Sequence, residues 1–260
     1  MAELDALLLP RAEELLARAR GGEITYTRFL TPGEQLRLSR HLAGCAEEWC
    51  LWGGYAEAER RRMFFLPGYL TALEEPYRTE CLEDTYTDCL MALEVRGSGY
   101  RDLTHRDFLG ALLHLGVERD CIGDICVMAP DRAVLFCDRV MVNFFVEHLD
   151  RVANDAVRLS TVRLPADFDG GRRFAPVSDT VASPRADAVV AALANLPREK
   201  AQALFREGKI EIDYEPEERV DRTVGEGAVI VIRGKGKFIV RSLSDKTKKG
   251  RYRLCADQYL

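Results

Sequence analysis

The first 180 residues of this 260-residue chain contain no lysine. Their 21 arginines are outnumbered by 30 acidic residues, so this part carries a net charge of −9. Residues 181–260 hold all seven lysines and carry a net charge of +4. The charge distribution therefore indicates that a polyanion would be bound by the C-terminal part of the chain.

Long apolar runs are also absent. Runs such as Met63 to Leu66 and Val140 to Val146 are far shorter than the ~20 residues that cross a bilayer. Glu3 and Asp5 stand where a signal peptide would be basic. We therefore expect no membrane span and a cytoplasmic location.

Metal-binding motifs are missing too. None of the eight cysteines forms a CxxC pair, and four residues separate both Cys45 from Cys50 and Cys121 from Cys126. This spacing is not that of a structural zinc site, and the four histidines do not pair with the cysteines. We expect reduced, mostly buried cysteines and no metal or cofactor.

Catalytic motifs are equally scarce. His105, Arg106 and Asp107 resemble the start of a kinase catalytic loop, but Leu112 stands where that loop needs a metal-binding Asn. Gly234-Lys235-Gly236 lacks the spacing of a phosphate-binding loop. We therefore expect a protein that is not an enzyme.

The pattern of apolar, capping and turn residues predicts an α+β protein with three domains. A small α-rich domain spans 1–75, a middle domain spans 80–166, a linker runs from Asp167 to Val181, a third domain covers 181–241, and 242–260 form a basic tail. In the middle domain the predicted order is β-α-β-β-α-β, which indicates a ferredoxin-like sheet of four antiparallel strands backed by two helices. Some RNA-binding modules share this topology, but their sheet aromatics are not evident here.

Two short helices and a small β-unit are predicted in the C-terminal part. The helices span Pro184 to Asn195 and Arg198 to Glu207, and three strands follow within 209–241. Basic and amide side chains recur at spacings that place several on one face, where they would contact RNA phosphates. These candidate RNA-binding residues are Arg185, Arg198, Lys200, Gln202, Arg206, Lys209, Arg233, Lys235 and Lys237.

The segment 183–241 resembles an S4 RNA-binding domain of the αL type. The resemblance rests on SPRADAVVAALANLPREKAQALFREGKIEIDY and on VGEGAVIVIRGKGKF. The sequence departs from the usual pattern at Pro197, where Ser is common, at Glu199, and at Asp213-Tyr214, where Asn-Gly is common. For residues 244–253, anion binding and a solvated tail remain equal alternatives.

Upstream segments resemble the YlmH family of bacterial proteins. They are FLTPGEQ at 29–35, LWGGYAEAERRR at 51–62 and LTHRDFLGALLHLGVERDCIGDICV at 103–127. Members of the family join an N-terminal domain and a ferredoxin-like domain to a C-terminal S4 domain. The resemblance implies a non-enzymatic protein that binds rRNA of the large ribosomal subunit, and tRNA, in the rescue or quality control of stalled subunits carrying peptidyl-tRNA.

Two other functions stay open on the sequence. S4 domains are also attached to RNA-modifying enzymes such as pseudouridine synthases and methyltransferases, and some relatives are linked to cell division, so that a quality-control or division protein is a further possible partner. A second contact patch at Trp52 to Tyr55 and Arg60 to Arg62 is an alternative to a packing role for these residues.

Overall fold

The computed structural model describes residues 2–243, 247 and 250–260, and their side chains from residue 7 onward. The basic side chains of Lys246, Lys248 and Lys249 lie outside the described residues. The chain forms two compact units, Met1–Gly171 and Arg172–Leu260. Within the described residues, no helix is both long and apolar enough to cross a membrane.

The first unit begins with three helices and a small antiparallel sheet. Its elements are α1 (Ala2–Arg20), β1 (Thr25–Tyr26), α2 (Pro32–His41), β2 (Trp49–Trp52), β3 (Arg62–Phe65) and α3 (Gly68–Thr71). The strand order is β1-β3-β2. Thr31 and Glu34 form the capping box that the sequence predicts at the start of α2.

The same unit continues with a larger sheet. Its elements are α4 (Tyr77–Cys89), β4 (Leu90–Gly97), α5 (His105–His114), β5 (Ile122–Ala129), β6 (Arg132–Asp138), α6 (Val142–His148), β7 (Arg151–Val152) and β8 (Asp155–Thr161). All pairs are antiparallel, in the order β5-β6-β4-β8-β7. From β4 to β8 the order of helices and long strands is the predicted β-α-β-β-α-β.

The two parts of this unit share an apolar core, which differs from the predicted separation into domains 1–75 and 80–166. Phe29, Tyr55 and Phe64 from the first part pack with Ala92 and Phe136 from the larger sheet. A single unit results because one face of the larger sheet is apolar and is covered by these side chains rather than by water.

The second unit is a six-stranded sheet with a helix pair. Its elements are β9 (Phe174–Val181), α7 (Ala186–Leu193), α8 (Arg198–Arg206), β10 (Ile210–Ile212), β11 (Glu215–Pro216), β12 (Val229–Ile232), β13 (Gly236–Ser242) and β14 (Tyr252–Tyr259). The strand order is β11-β10-β12-β13-β14-β9. Val189, Val190 and Phe205 of the helices pack with Phe238 and Val240 in its core.

Two predictions about the ends of this unit were wrong. Residues 174–181 of the predicted linker form strand β9, and residues 252–259 of the predicted tail form strand β14. These strands pair with each other over eight residues, from Tyr252 with Val181 to Tyr259 with Phe174. The sequence did not predict this pairing because the two strands are about 80 residues apart in the chain. Few of their side chains enter the core, so neither strand shows a clear apolar pattern.

Candidate nucleic-acid interface

A buried carboxylate organises the start of the helix pair. Asp187, in the first turn of α7, is 0% exposed. It accepts hydrogen bonds from Arg198 Nε at 2.9 Å, Arg198 Nη2 at 3.0 Å and Gln202 Nε2 at 2.8 Å. Arg185 Nε contacts the same carboxylate at 3.4 Å. Three predicted RNA-binding side chains therefore surround one acid.

The backbone near α7 explains why Asp187 points towards α8. The amides of Ala186 and Asp187 donate to the carbonyls of Arg222 at 2.8 Å and Val220 at 3.0 Å. These bonds satisfy helix-terminal amides that have no partner within the helix. They fix the first turn of α7 and with it the direction of the Asp187 side chain.

The surroundings of Asp187 keep it ionised. Burial raises the pKa of Asp187, but hydrogen bonds from Gln202, Arg198 and Arg185 lower it by more, so that the net pKa lies below its ordinary value. A buried carboxylate is stable only when it is paired and hydrogen-bonded in this way. The charged form therefore holds both guanidinium groups in fixed positions.

Both arginines still present charge to the solvent. The side chains of Arg185 and Arg198 are 42% and 50% exposed. A guanidinium has five N–H donors in a planar fork, and the contacts to Asp187 use one donor of Arg185 and two of Arg198. The arrangement suits a phosphate, which arginine binds through pairs of parallel N–H donors.

Helix α8 separates its predicted contact residues into two faces. Gln202 and Arg206 follow Arg198 by one and two turns, because residues four apart lie on the same side of a helix. Lys200 is two residues from Arg198, which is about 200° of rotation around the helix. Lys200 therefore lies away from the Asp187 cluster.

A second basic group lies where α8 meets the sheet. The amide of Arg233 donates to the carbonyl of Lys209 at 3.0 Å, and Lys235 lies in the turn between β12 and β13. Two of these cations have acidic neighbours, since Lys209 pairs with Glu207 at 2.7 Å and Arg233 with Glu211 at 3.2 Å. Part of the positive charge at this edge is therefore neutralised within the protein.

Lys237 lies on the opposite face of the sheet. Its neighbour Phe238 is buried beneath the helices, and adjacent side chains of a strand point to opposite faces. The Lys237 ammonium lies 4.5 Å from the ring centroid of Tyr259 and 5.3 Å from that of Tyr214. The sequence placed several of the nine predicted residues on one face, and the structure shows that Lys237 is not among them.

The fold adds Arg251, which sequence reasoning did not select as a contact. Arg251 donates to the hydroxyl of Thr180 at 3.0 Å and to its carbonyl at 2.6 Å. With Arg198 and Asn195 it lines a depression of about 290 Å³ beside α7. The only signal in the sequence was its charge, within a segment that was predicted to be a tail.

The described residues contain no cluster of metal-ligating side chains and no disulfide bond. No group of three or more His, Cys, Asp or Glu side chains is placed there to hold a metal ion. All eight cysteines are free thiols. Cys89, Cys126 and Cys137 are buried as expected, whereas Cys81 and Cys255 are exposed.

Comparison with known proteins adds to this geometry. A family model described as "Putative RNA-binding domain in YlmH" matches residues 86–166. The "Ribosome-associated protein quality control protein P2" of Bacillus subtilis is 30% identical over 229 residues, which cover 88% of this chain and 84% of that protein.

The chain belongs to the YlmH family. A solved structure, "Cell division protein ylmH from Streptococcus pneumoniae", is also similar to the chain. It matches with a TM-score of 0.47 and 18% identity, over 61% of this chain and 91% of that one.

The segment matched by the YlmH family model has no open sheet face for nucleotides at its centre. One side of the sheet packs on α5 and α6, and the other side packs on residues from the N-terminal part. Tyr55 stacks on Phe136 with 5.0 Å between ring centroids, and Phe168 meets Tyr55 edge to face at 5.2 Å. Bases cannot stack on the centre of this sheet because protein side chains already occupy it.

The alternative contact patch near residues 52–62 has a packing role instead. Arg62 is 1% exposed, pairs with Asp138 at 2.6 Å and lies 4.8 Å from the centre of the Phe29 ring. Arg60 donates to the backbone carbonyls of Ile122 and Phe29. These arginines hold the two parts of the first unit together.

Proposed function

We propose that this protein is a non-enzymatic, cytoplasmic RNA-binding protein that associates with the large ribosomal subunit through an S4 domain at residues 181–241. The observation that carries the proposal is the pair of half-exposed guanidinium groups of Arg185 and Arg198, held by the buried Asp187. The names of the Bacillus relative and of the matched family model support a ribosomal, RNA-binding role.

The site suits folded RNA because it binds phosphate rather than a particular base. Charge-assisted hydrogen bonds from a fixed arginine fork recognise the backbone, and the shape of the backbone positions the protein. Since Asp187 fixes both guanidinium groups before binding, less side-chain entropy is lost when RNA arrives. Arg206, two turns along α8 from Arg198, and the second basic group of Lys209, Arg233 and Lys235 add further contacts to phosphates of the same RNA.

The turn between β10 and β11 supports the S4 assignment. Asp213 and Tyr214 have φ values of 53° and 64°, between the paired residues Ile212 and Glu215. Two consecutive left-handed residues form the type I′ hairpin turn that favours Asn-Gly, the usual pair of the S4 pattern. The backbone of the usual pattern is thus present despite different side chains.

Asp213 has a partner that helps it hold this conformation. Its carboxylate accepts hydrogen bonds from Arg222 at 2.7 Å and from the amide of Val229 at 3.1 Å. Arg222 also pairs with Glu217 at 2.9 Å. The same arginine supplies the carbonyl that receives the Ala186 amide, so this small network connects the turn with the Asp187 site.

The finer role that we propose is the handling of stalled large subunits that carry peptidyl-tRNA. In this role the S4 domain binds rRNA and tRNA, and the first unit provides a surface for a quality-control protein. The name of the Bacillus relative supports the assignment to quality control.

Sedimentation of the full chain with purified ribosomal subunits tests the proposal. We expect the protein to pellet with large subunits at low salt and to be released as salt rises, because phosphate binding is driven by counterion release. Small subunits serve as the matched control. Failure to pellet with large subunits at any salt concentration would overturn the ribosomal assignment.

A second experiment addresses the nature of the bound RNA. Crosslinking the protein to RNA in cells and sequencing the attached fragments should recover large-subunit rRNA and tRNA. Deletion of the protein should leave the modified nucleotides of both RNAs unchanged. Loss of a modification that the purified protein restores would favour an RNA-modifying enzyme.

A further inference from the structure

The outer face of the six-stranded sheet carries a row of aromatic and basic side chains. They are Tyr214 in the β10–β11 turn, Lys237 and Arg241 on β13, Tyr259 on β14 and Phe174 on β9. Lys237 contacts the rings of Tyr214 and Tyr259, and the rings of Tyr259 and Phe174 meet edge to face at 4.9 Å. The Arg241 guanidinium lies 5.6 Å from the centre of the Phe174 ring. We call these five residues the aromatic line.

The register of the strands explains why the line faces away from the helices. Phe238 and Val240 of β13 and Leu254 and Ala256 of β14 are buried in the core beneath α7 and α8. Side chains alternate along a strand, so Lys237 and Tyr259 point to the other side. Tyr259 pairs directly with Phe174 in the adjacent strand, which brings the two rings together.

The hydrophobic core of this unit does not include these rings. The core cluster is formed by the side chains between the sheet and the helices, whereas Phe174 is 37% exposed and Tyr214 and Tyr259 are half-buried. Aromatic rings with basic side chains between them are typical of surfaces that bind unpaired nucleic acid.

We propose that the aromatic line is a second RNA-binding surface, which binds unpaired nucleotides by stacking of their bases on the rings. This inference rests on the proposed RNA-binding function and adds a substrate class, single-stranded RNA, on the face of the sheet opposite to the helices that form the Asp187 site. Lys237 and Arg241 then contact the phosphates of the bound strand.

Stacking of a base on the Tyr259 ring is stronger than the contact between this ring and Lys237. An exposed cation–π contact within a protein changes an equilibrium constant by only about two- to fivefold. A base stacked on an aromatic ring changes the binding constant of the nucleic acid by about five- to 150-fold. A base can therefore displace the lysine from the Tyr259 ring, and the released ammonium can pair with phosphate. A four-stranded sheet stacks two or three bases on its aromatic side chains in other RNA-binding modules.

The charge of the line favours RNA over an apolar protein partner. Its two non-aromatic members are both cations, and Arg241 is balanced by Asp257 at 2.7 Å while remaining 50% exposed. An apolar protein surface would take these charged groups out of water without offering them hydrogen-bond acceptors of its own. A polyanion with flat, stackable rings satisfies both kinds of side chain.

The test compares two double variants of the full chain. Phe174→Ala with Tyr259→Ala removes two rings of the line, and Tyr69→Ala with Tyr100→Ala removes two rings that are 59% and 86% exposed in the first unit. Binding of a fluorescent uridine-rich 12-nucleotide RNA and of a fluorescent RNA hairpin is measured by anisotropy. We expect the first variant to bind the single strand at least tenfold more weakly and the hairpin nearly as well, and the control to bind both like the unchanged protein.

A conservative variant separates loss of rings from loss of structure. Phe174→Tyr with Tyr259→Phe keeps both rings and should retain single-strand binding within about twofold. If the alanine variant unfolds, Phe174→Ser alone provides the test, because this side chain lies at the start of β9 and is partly exposed.

The outcomes distinguish this inference from the proposed function. Equal affinity of the alanine and control variants for the single strand would overturn the aromatic line. Binding to large subunits or hairpin RNA without any binding to the single strand would also overturn it and leave the proposed function intact. No binding of the unchanged protein to any of these RNAs would overturn both.

Discussion

Arg198 donates two hydrogen bonds to the buried carboxylate of Asp187, at 2.9 and 3.0 Å. The sequence identified Arg198 only as a candidate contact to RNA phosphate. The structure shows that it has a second role, because its guanidinium compensates a carboxylate that is 0% exposed. Reversal of Arg198 therefore combines weaker RNA binding with lower stability of the fold.

Charge reversal at Arg198 should destabilise the C-terminal unit. Arg198→Glu places a second carboxylate beside Asp187, and we expect a loss of about 3 kcal/mol, at the low end for a broken buried pair because Arg198 is half exposed. Arg206→Glu on the same helix is the matched control and should cost less than about 0.5 kcal/mol. Urea unfolding measures both, and equal stability of the two variants would contradict the role of Asp187.

The salt dependence of RNA binding can be tested at basic residues that do not also stabilise the fold, as Arg198 does. Arg206 and Lys235 are exposed and have no ion-pair partner among the described residues. Replacing both by Gln should reduce the slope of log affinity against log salt by roughly one for each RNA phosphate that is no longer neutralised. Arg96→Gln with Arg158→Gln removes the same charge from the first unit and should leave the slope unchanged. A reduced slope in the control would place the RNA on the first unit instead.

Acid should weaken the C-terminal unit through Asp187. Burial raises the pKa of Asp187, but bonds from Gln202, Arg198 and Arg185 lower it by more. A carboxyl with a lowered folded-state pKa stabilises the fold above its unfolded-state pKa of about 4, and this contribution is lost as pH falls towards the folded-state value. The urea midpoint should therefore fall as the pH drops below about 5, and Asp187→Asn should show a smaller fall. An identical fall in the variant would exclude Asp187 as the cause.

The buried Arg62–Asp138 pair should be costly to break from one side. Arg62 is 1% exposed and lies 2.6 Å from Asp138, so Asp138→Ala leaves a buried charge without its partner. We expect a loss of about 3–5 kcal/mol, and Arg62→Met in the same chain should restore part of it because no buried charge remains. Denaturant unfolding of the single and double variants measures the recovery. A double variant less stable than Asp138→Ala would contradict this account.

Two glycines should respond to alanine in opposite directions. Gly54 has a φ of 102°, and a Cβ there would overlap the ring of Phe136, so Gly54→Ala should cost about 2 kcal/mol or more. Gly110 lies inside α5, and apart from its own helix backbone no atom lies within 4 Å of its would-be Cβ, so Gly110→Ala should stabilise by about 0.5–1 kcal/mol. Thermal unfolding distinguishes the two, and a neutral Gly54→Ala would show that the loop and the sheet do not pack closely.

Local sequence signals were sufficient where neighbours in the chain decide the structure. Thr31 and Thr104 each begin a helix with a capping box, as their spacing from Glu34 and Asp107 predicted. The order from β4 to β8 was also predicted, because each strand or helix has its own apolar period and turn residues. The likeness to the YlmH family came from short motifs of the same kind and was confirmed.

The candidate site was also predicted only in part from local sequence signals. The sequence selected Arg185, Arg198 and Gln202 by their polar side chains and spacing, and the structure brings them together. The sequence did not identify Asp187 as the acid that holds them. Lys200 and Lys237 lie on other faces because helix rotation and strand alternation, rather than distance along the chain, set the direction of a side chain.

The sequence by itself determined the charge asymmetry, most helices and strands, and the family, since these depend on composition and on residues within about one element of each other. Tertiary structure alone decided that β9 and β14 pair, that residues 1–171 share one unit, and that the larger sheet has a covered face. It also placed Phe174 and Tyr259 side by side, 85 positions apart in the numbering. The physical reason is that such pairings depend on which apolar and hydrogen-bonding surfaces meet once all elements have formed, and no local pattern encodes that choice.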